Sequence, residues 1–207
     1  IKTPLTNLQA QAAALLSHLV PGVASDFGLI QSASMVVNAL AYRVSDVPGP
    51  LYGSGFLVPA HEGRTIKAVN YASRKWGWVA IMARSMHDDG LVMIRTSIGR
   101  LGEEAGLERD DEDIVALAHR DLQEAIGITG PPVASRITRW RNGLPQYGVG
   151  HVDRVERIRS RIADVPGLEL AGATFDGVGV AAVFGTGRSA GGSVLRYLNS
   201  RAQSRHA

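Results

Sequence analysis

The sequence predicts a mixed α/β protein, and two patterns carry that prediction. Several short segments rich in Val, Ile and aromatic residues alternate apolar and polar positions, as strands of an antiparallel sheet with one covered face do. Other segments repeat apolar residues every three or four positions, as amphipathic helices do. Of the 207 residues, 45% are hydrophobic and 20% are charged, a balance typical of a folded globular protein.

Six segments are predicted as strands. In the third of them, Ile66, Ala68 and Asn70 alternate with the residues between them, so one of the two sets should face a core. The fifth should end at Trp140, just before a turn at 143–145, and the last should be short and buried. The predicted strands cover residues 34–44, 55–59, 65–72, 91–98, 133–140 and 168–172.

Four helices are predicted. Thr6 or Asn7 can cap the first, whose apolar face runs from Leu8 to Leu19. A run of acidic residues at 110–113 opens the second, because carboxylates stabilise the positive end of a helix. The others should cover about 152–163 and 178–198, separated by a loop at 173–176. A composition shift near Gly130 predicts two structural parts, 1–130 and 131–207.

Composition excludes several function classes. There is no Cys, hence no disulfide or thiolate chemistry, and the six His show no spacing typical of a metal site. The net charge is only +3 and acids are interspersed with arginines, which argues against nucleic-acid binding. Arg154, Arg157 and Arg161 share one helix face, which we interpret as solvated. No apolar run is long enough to cross a membrane.

A G-x-S-x-G pattern at 187–191 suggests a serine hydrolase, but its context is wrong. Ser189 falls inside a predicted helix, and no acidic residue follows it in the sequence. A hydrolase nucleophile needs a sharp strand-to-helix turn and a downstream acid. We interpret the small residues Gly185, Ala190 and Gly191 as allowing close helix packing instead.

A G-x-G-x-x-A pattern at the start of the last predicted helix is more informative. Gly177, Gly179 and Ala182 follow a strand and a loop, and glycines at such a helix start let a ligand approach free backbone N–H groups. The same glycines could serve helix packing alone, and the acidic residue expected further on in a complete dinucleotide fingerprint is missing.

Taken in order, these segments resemble the bacterial porphyrinogen oxidases of the flavin amine oxidase superfamily. Arg139-Trp140, Leu144 to Tyr147 and Gly150-His151 resemble the R-W, P-Q-Y and G-H signature of that family. The stretch 53–68, with G-S-G-F-L-V-P, E-G-R and I-K-A, resembles another of its blocks, and 170–180 resembles its closing flavin motif. Ala181, Val183 and Gly77 depart from the family pattern on the scale of packing.

The resemblance implies a function and site residues. The family oxidises a porphyrinogen to the porphyrin through FAD, with O2 reduced to hydrogen peroxide, in haem biosynthesis. The implied flavin contacts are Trp140, Gly172, Gly177, Val178, Gly179 and Val180, and the implied substrate contacts are Ser54, Leu57 and Ser97. No matched segment supplies a clear acid or base, so the catalytic residues are unknown.

The resemblance also implies how the chain is organised. Residues 1–130 should be part of a substrate-binding domain, and 131–207 the carboxy-terminal part of a Rossmann-like FAD domain. The sequence begins at Ile1, not Met, so we expect a portion of a longer cytoplasmic protein, with at most peripheral membrane contact, whose missing amino-terminal half carries the main FAD motif. The chain alone should then bind FAD poorly and be inactive.

Two alternatives and one choice stay open at this point. The chain could come from another flavin amine oxidase, although the block at 53–67 is typical of porphyrinogen oxidases. It could instead be a catalytically silent fragment that binds no flavin. Between coproporphyrinogen III and protoporphyrinogen IX as substrate, the sequence does not decide, and the resemblance to bacterial members favours the former slightly.

Overall fold

A computed structural model describes His18, Val20 and residues 22–204 of the chain. The predicted first helix, at about 7–19, therefore lies almost entirely outside the described residues. The chain divides into two compact units. We call Ala33–Arg141 the sheet unit, and residues up to Ser32 together with Asn142–Ala207 the helical unit. The mixed α/β fold class is confirmed.

The sheet unit is built on a five-stranded antiparallel sheet with the strand order β2-β3-β4-β1-β5. The strand predictions are confirmed in number and approximate position for this unit, and that for β4 is correct at both ends. The strands are β1 Ser32–Arg43, β2 Gly55–Leu57, β3 Ile66–Asn70, β4 Leu91–Ile98 and β5 Ala134–Pro145. The first residue of β1 and the last four of β5 belong to the helical unit.

One face of this sheet forms the main core. Val36 pairs with Ile98 and Leu40 pairs with Ile94 across β1 and β4, and all four side chains are buried. Paired residues of an antiparallel ladder point to the same face, so they make a continuous apolar surface. The described helices that complete this unit are α2 Ala72–Lys75, α3 Gly77–Ser85 and α4 Asp111–Ile126. Helix α4 packs on the core face through Ile114, Ala118 and Leu122, whose four-residue spacing is typical of an amphipathic helix.

A β-bulge in β3 corrects the predicted alternation of that strand. Ile66 pairs with Ile98, but Ala68 pairs with Ser97, so Lys67 is an extra residue between them. A bulge shifts the side chains that follow it by one position. Ile66 and Val69 therefore lie in the core, whereas Ala68 and Asn70 face the other side of the sheet.

The opposite face of the sheet is only partly covered. Helix α3 packs Ala83 against Ala41, Leu91 and Met93 at one end of this face. No sequence pattern predicted α2 or α3, and Trp78 on α3 is 65% exposed. We call the uncovered part of this sheet surface the open face.

The helical unit contains α1 Val23–Gly28, α5 His151–Ala163, α6 Ala173–Asp176 and α7 Val180–Ser204. Its buried apolar cluster joins Val20 and Val23 to Ile158 and Ile162. The Asp26 carboxylate accepts hydrogen bonds from Nε and Nη2 of Arg157, at 3.3 and 3.0 Å, and Arg161 lies 3.7 Å away. The arginine face of α5, which the sequence indicated to be solvated, is thus partly used to hold α1.

Three other predictions are wrong in this part of the chain. Residues 168–170 form no strand, because Leu168 and Leu170 pack against the α1–α5 cluster without a neighbouring strand. Residues 173–176 form the short helix α6 instead of a loop. Strand β5 does not end at Trp140 but continues to Pro145, since Asn142 adopts φ 50°, a conformation that Asn tolerates, and the chain bends without breaking.

Helix α7 begins two residues later and ends six residues later than predicted. Ser189 lies within it, as expected, which removes the context that a hydrolase nucleophile needs. Gly185 and Gly191 have open space where a Cβ would lie, so the close packing expected at these positions is not seen among the described residues. Within the part of the chain that the structure covers, no helix combines the length and hydropathy required to span a bilayer.

Candidate cofactor loop and substrate face

A glycine loop connects the turn after α5 to the start of α7 and contains five of the six predicted flavin residues. Gly172 and Gly177 flank the short helix α6 with φ angles of 121° and 120°. Residues with a Cβ rarely adopt such angles, so the path of this loop depends on glycine at both positions. Gly179 differs, because its φ is not positive and no atom lies within 4 Å of where its Cβ would be.

The loop is fixed in place by side chains from α5, α7 and the segment before α5. Thr186 of α7 accepts a hydrogen bond from the Gly172 N–H at 3.1 Å, and the Tyr147 hydroxyl donates to the Ala173 carbonyl. Arg159 of α5 contacts both carboxylate oxygens of Asp176, at 2.7 and 2.6 Å. An anchored loop of this kind holds its backbone groups ready for a ligand without an ordering cost on binding.

The exposed part of the loop is its end, where α7 begins. Val178 and Val180 are exposed, the latter to 88%, and Gly179 between them has no side chain. The first turn of a helix leaves backbone N–H groups without intrahelical partners, and these groups favour electron-rich atoms. The loop can therefore accept a phosphate or a carbonyl oxygen of a cofactor close to the main chain.

Trp140, the sixth predicted flavin residue, lies on β5 in the sheet unit. Its neighbour Arg139 points towards the core side, where its guanidinium binds the Asp111 carboxylate at 2.5 Å and the carbonyls of Leu107 and Arg109. Side chains alternate along a strand, so Trp140 points to the opposite side, the open face. Its ring is 39% exposed there. In the R-W pair, the arginine thus has a structural role and the tryptophan stays available.

The predicted substrate residues lie on or beside the same open face. Leu57 pairs with Ala68, Ala68 with Ser97, and Ser97 with Val37, which gives one row across four strands. Leu57 is 81% exposed and the other three are half-buried. Ser54 is exposed just before β2, and its carbonyl accepts a hydrogen bond from the Tyr71 N–H at 2.9 Å. The structure therefore brings Leu57 and Ser97 together, with Ser54 at the margin.

Sequence reasoning missed the part that Tyr147 and His151 play. The two rings stack with centroids 4.4 Å apart, and the His151 ring is buried. His151 is the first residue of α5, and the cap position before it is Gly150, with φ 77°. Because the Tyr147 hydroxyl binds the first residue of α6, the stacked pair links the P-Q-Y and G-H motif to the glycine loop. Motif spacing alone could not show this link.

A cavity of about 800 Å3 lies in the helical unit, between α5, α7 and the segment after α5. Its lining includes Arg159, Asp176, Thr186 and Ser189. None of the predicted flavin residues described above lines it. The cavity therefore adjoins the anchors of the glycine loop and not the exposed end of the loop.

Comparison with known proteins identifies relatives over nearly the whole chain. A coproporphyrinogen III oxidase of Bacillus subtilis is 31% identical over 190 residues, or 91% of this chain and 38% of the relative. One of Mycobacterium bovis is 36% identical over 193 residues, 90% of this chain and 39% of the relative. A protoporphyrinogen oxidase of Bos taurus is 30% identical over 197 residues, 91% and 40% of the two chains. No family model matches the chain.

The fold comparison agrees with the sequence comparison. The solved structure named "Putative protoporphyrinogen oxidase from Exiguobacterium sp. 255-15" matches with a TM-score of 0.69 at 25% identity, covering 86% of this chain and 38% of that one. This chain thus spans about two fifths of the length of the curated relatives it matches. The resemblance inferred from the motifs is confirmed: the chain is a homologue of the porphyrinogen oxidases and corresponds to the carboxy-terminal portion of their longer chains.

Proposed function

We propose that the complete protein oxidises a porphyrinogen, coproporphyrinogen III or protoporphyrinogen IX, to the porphyrin in haem biosynthesis, with FAD as cofactor and O2 as acceptor. The observation that carries the proposal is the anchored glycine loop, which coincides with the segment that resembles the family's flavin motif. The names of the relatives support the reaction class.

The residues of the loop fit a flavin by their own geometry. The backbone around Gly179 is open to close approach, Gly177 holds the turn that exposes it, and Val178 and Val180 offer apolar surface on either side. We propose that these residues and Gly172 hold FAD, with Trp140 bordering it. When bound, the flavin supplies the redox chemistry, taking hydrogen from the substrate and passing electrons to O2.

On the substrate side, the open face offers a flat and mostly apolar surface. The row from Leu57 to Val37 carries no charge, and its largest side chain is that of Leu57. A broad, flexible macrocycle can lie on such a surface, and burial of its apolar area stabilises the complex. We propose Ser54, Leu57 and Ser97 as contacts of that substrate.

The proposal requires the rest of the protein as a partner. Helix α7 contains no fully buried residue in the described part of the chain, and Val180, Phe184, Leu195 and Leu198 are all more than half exposed. We propose that the amino-terminal part of the same protein covers this stripe and supplies the main FAD motif. The 207-residue chain alone is then expected to be inactive. A cytoplasmic location, with at most peripheral membrane contact, belongs to the same proposal.

The test is a pair of glycine substitutions in the full-length protein. Gly179→Val adds a side chain where the structure has open space, so the loop should keep its fold while the cofactor loses its approach to the backbone. Gly185→Val is the matched control, also on α7 and also with open space around its Cβ position. Gly177 is less suitable, since φ 120° makes any side chain there disturb the loop itself.

Two measurements decide the outcome. Flavin absorbance of the purified proteins should be present in wild type and Gly185→Val and strongly reduced in Gly179→Val. Under air, porphyrin fluorescence from each porphyrinogen should grow faster than the rate of autoxidation only in proteins that bind flavin. The porphyrinogen whose fluorescence grows faster is the preferred substrate. Flavin binding without any porphyrin would favour an amine oxidase. A folded wild-type protein without flavin would contradict the proposal and indicate a silent protein.

A further inference from the structure

We propose that Arg95, together with Asn70, is a recognition site on the open face for the polar groups of the substrate, with Arg95 binding a peripheral carboxylate. This inference rests on the proposed porphyrinogen oxidase function and adds a residue that sets substrate preference. Both side chains lie next to the row that contains Leu57 and Ser97.

The position of the pair follows from the strand register. Asn70 of β3 pairs with Arg95 of β4, and Arg95 pairs with Ala39 of β1, while Gly55 of β2 pairs with Asn70. Two positions along each strand bring a side chain back to the same face. The row from Gly55 to Ala39 therefore lies beside the row from Leu57 to Val37, and its two polar side chains lie in the middle.

The residues on either side of this pair are small, and Arg95 itself is exposed. Ala39 has a small side chain, and Gly55 has none. A Cβ at Gly55 would lie 2.0 Å from the carbonyl oxygen of Val69, and its φ is 138°, so the backbone itself requires glycine there. The polar pair is thus flanked on both sides by surface over which a flat ligand can pass.

The charge of Arg95 is not neutralised within the described part of the protein. Arg64, Arg100 and Arg139 of the same unit each have an acidic partner, Glu124, Glu103 and Asp111 respectively. Arg95 has an exposed side chain, which makes no hydrogen bond or ion pair within the ranges that the structure covers. A guanidinium without a carboxylate of its own, beside the uncharged row from Leu57 to Val37, is suited to bind a carboxylate of a ligand.

Asn70 provides the second observation. Its side-chain oxygen is buried and has no hydrogen-bond partner among the described residues. A buried acceptor of this kind is costly unless a donor reaches it. A porphyrinogen offers both complementary groups, pyrrole N–H donors at its centre and carboxylates at its rim. The short Asn70 side chain fits the centre, and the longer Arg95 side chain fits the rim.

The positive charge of Arg95 also bears on which porphyrinogen is preferred. Coproporphyrinogen III carries carboxylates on all four pyrrole rings, whereas protoporphyrinogen IX carries them on two. A single cation on this surface can bind the first substrate in more orientations than the second. Arg95 is therefore expected to favour coproporphyrinogen.

Binding and turnover of the full-length protein test this role. The variants are Arg95→Gln, which removes the charge, Arg95→Lys, which keeps it, and Arg109→Gln as control. Arg109 is an exposed arginine beside the start of α4, on the core side of the sheet. The readouts are the affinity for coproporphyrin III, measured by fluorescence quenching, and KM and kcat for both porphyrinogens.

We expect Arg95→Gln to weaken binding of coproporphyrin III about tenfold to hundredfold and to raise KM similarly, with kcat changed less than about twofold. Arg95→Lys should restore part of the affinity, and Arg109→Gln should match wild type. The salt dependence of binding should become flatter in Arg95→Gln, because one charge pair is lost.

Other results have distinct meanings. An active wild type whose affinity and KM are unchanged by Arg95→Gln would overturn the role of Arg95 and leave the proposed function intact. Equal losses in Arg95→Gln and Arg109→Gln would also overturn it, because the effect would then follow net charge. A flavin-containing wild type that neither binds coproporphyrin nor oxidises a porphyrinogen would overturn both proposals.

Discussion

The two units of the molecule are stabilised in different ways. The sheet unit has a core of fourteen buried side chains, from Val36 on β1 to Ile128 after α4, whereas the described residues of the helical unit form a buried cluster of four. The helical unit relies instead on charged and polar contacts, such as Asp26 with Arg157 and Asp176 with Arg159. The stability of the sheet unit should therefore depend mainly on packing and backbone conformation, and that of the helical unit mainly on its charged side chains.

The largest effect is expected from Gly55→Ala in the sheet unit. The new Cβ would lie 2.0 Å from the Val69 carbonyl oxygen, and the strained backbone cannot relax without breaking the β2–β3 pairing. We expect a loss of about 3 kcal/mol or more in the free energy of unfolding, measured by urea denaturation. Gly53→Ala, with φ 70° and open space, should lose only about 1 kcal/mol. Equal losses would mean that β2 is not held against β3 as described.

A smaller effect is expected from Asp26→Asn in the helical unit. The Asp26 side chain is 10% exposed and holds Arg157 and Arg161, so removal of its charge leaves two guanidinium groups without their partner. We expect a loss of about 1–3 kcal/mol in the free energy of unfolding. High salt should reduce this difference, because it already weakens the ion pairs of the wild type. Asp164→Asn, at an exposed position after α5, should change stability by less than about 0.5 kcal/mol. No difference between these variants would remove the contrast between the two units.

The smallest effect concerns pH and the sheet unit. Burial lowers the pKa of His119 below its usual 6.5, and its Nδ1 lies 3.2 Å from the Tyr42 hydroxyl. The unfolded chain then takes up the proton before the folded one as the pH falls. The stability that the neutral His119 contributes is therefore fully present above about pH 6.5 and decreases as the pH falls below that value.

Thermal melting between pH 7.5 and 5 measures this dependence. His119→Gln should make it flatter, whereas His61→Gln, whose side chain is 79% exposed, should leave it as in wild type. An identical slope in all three proteins would show that other groups dominate the acid response. Burial also raises the pKa of Tyr42, so this hydroxyl stays protonated over the whole range.

Much of the sheet could be predicted from the sequence because its strands alternate apolar and polar residues and its turns contain Gly and Pro. Strand β4 was correct at both ends, and the inward residues of α4 followed from their spacing. The short helices α2 and α3 were missed, and Gly77, noted only as a departure from the family pattern, is the first residue of α3. The apolar run at Leu168 was interpreted as a strand, yet it packs against helices, and no local pattern distinguishes these outcomes.

The candidate site was predictable as a set of residues and not as an arrangement. The motifs indicated Trp140, Leu57 and Ser97, but their common face depends on strand register, which alternation within one strand does not determine. The support of the glycine loop by Tyr147 and Thr186 depends on contacts between residues 14 and 26 positions apart. Arg95 was not indicated at all, since an exposed arginine in a strand is common in sequence and becomes distinctive only beside the uncharged row from Leu57 to Val37.

The extra residue in β3 has a consequence for comparisons among homologues and for engineering. Before Lys67 the core residue of the strand is Ile66, and after it the core residue is Val69, so the strand changes phase at a single position. Without the bulge, Lys67 would pair with Ser97, Ala68 and Asn70 would turn towards the core, and Val69 would lie on the open face. A relative that lacked Lys67 could keep the same residues on each face with a regular strand. A one-residue gap aligned with Lys67 would therefore mark the loss of the bulge and not a change of the ligand surface.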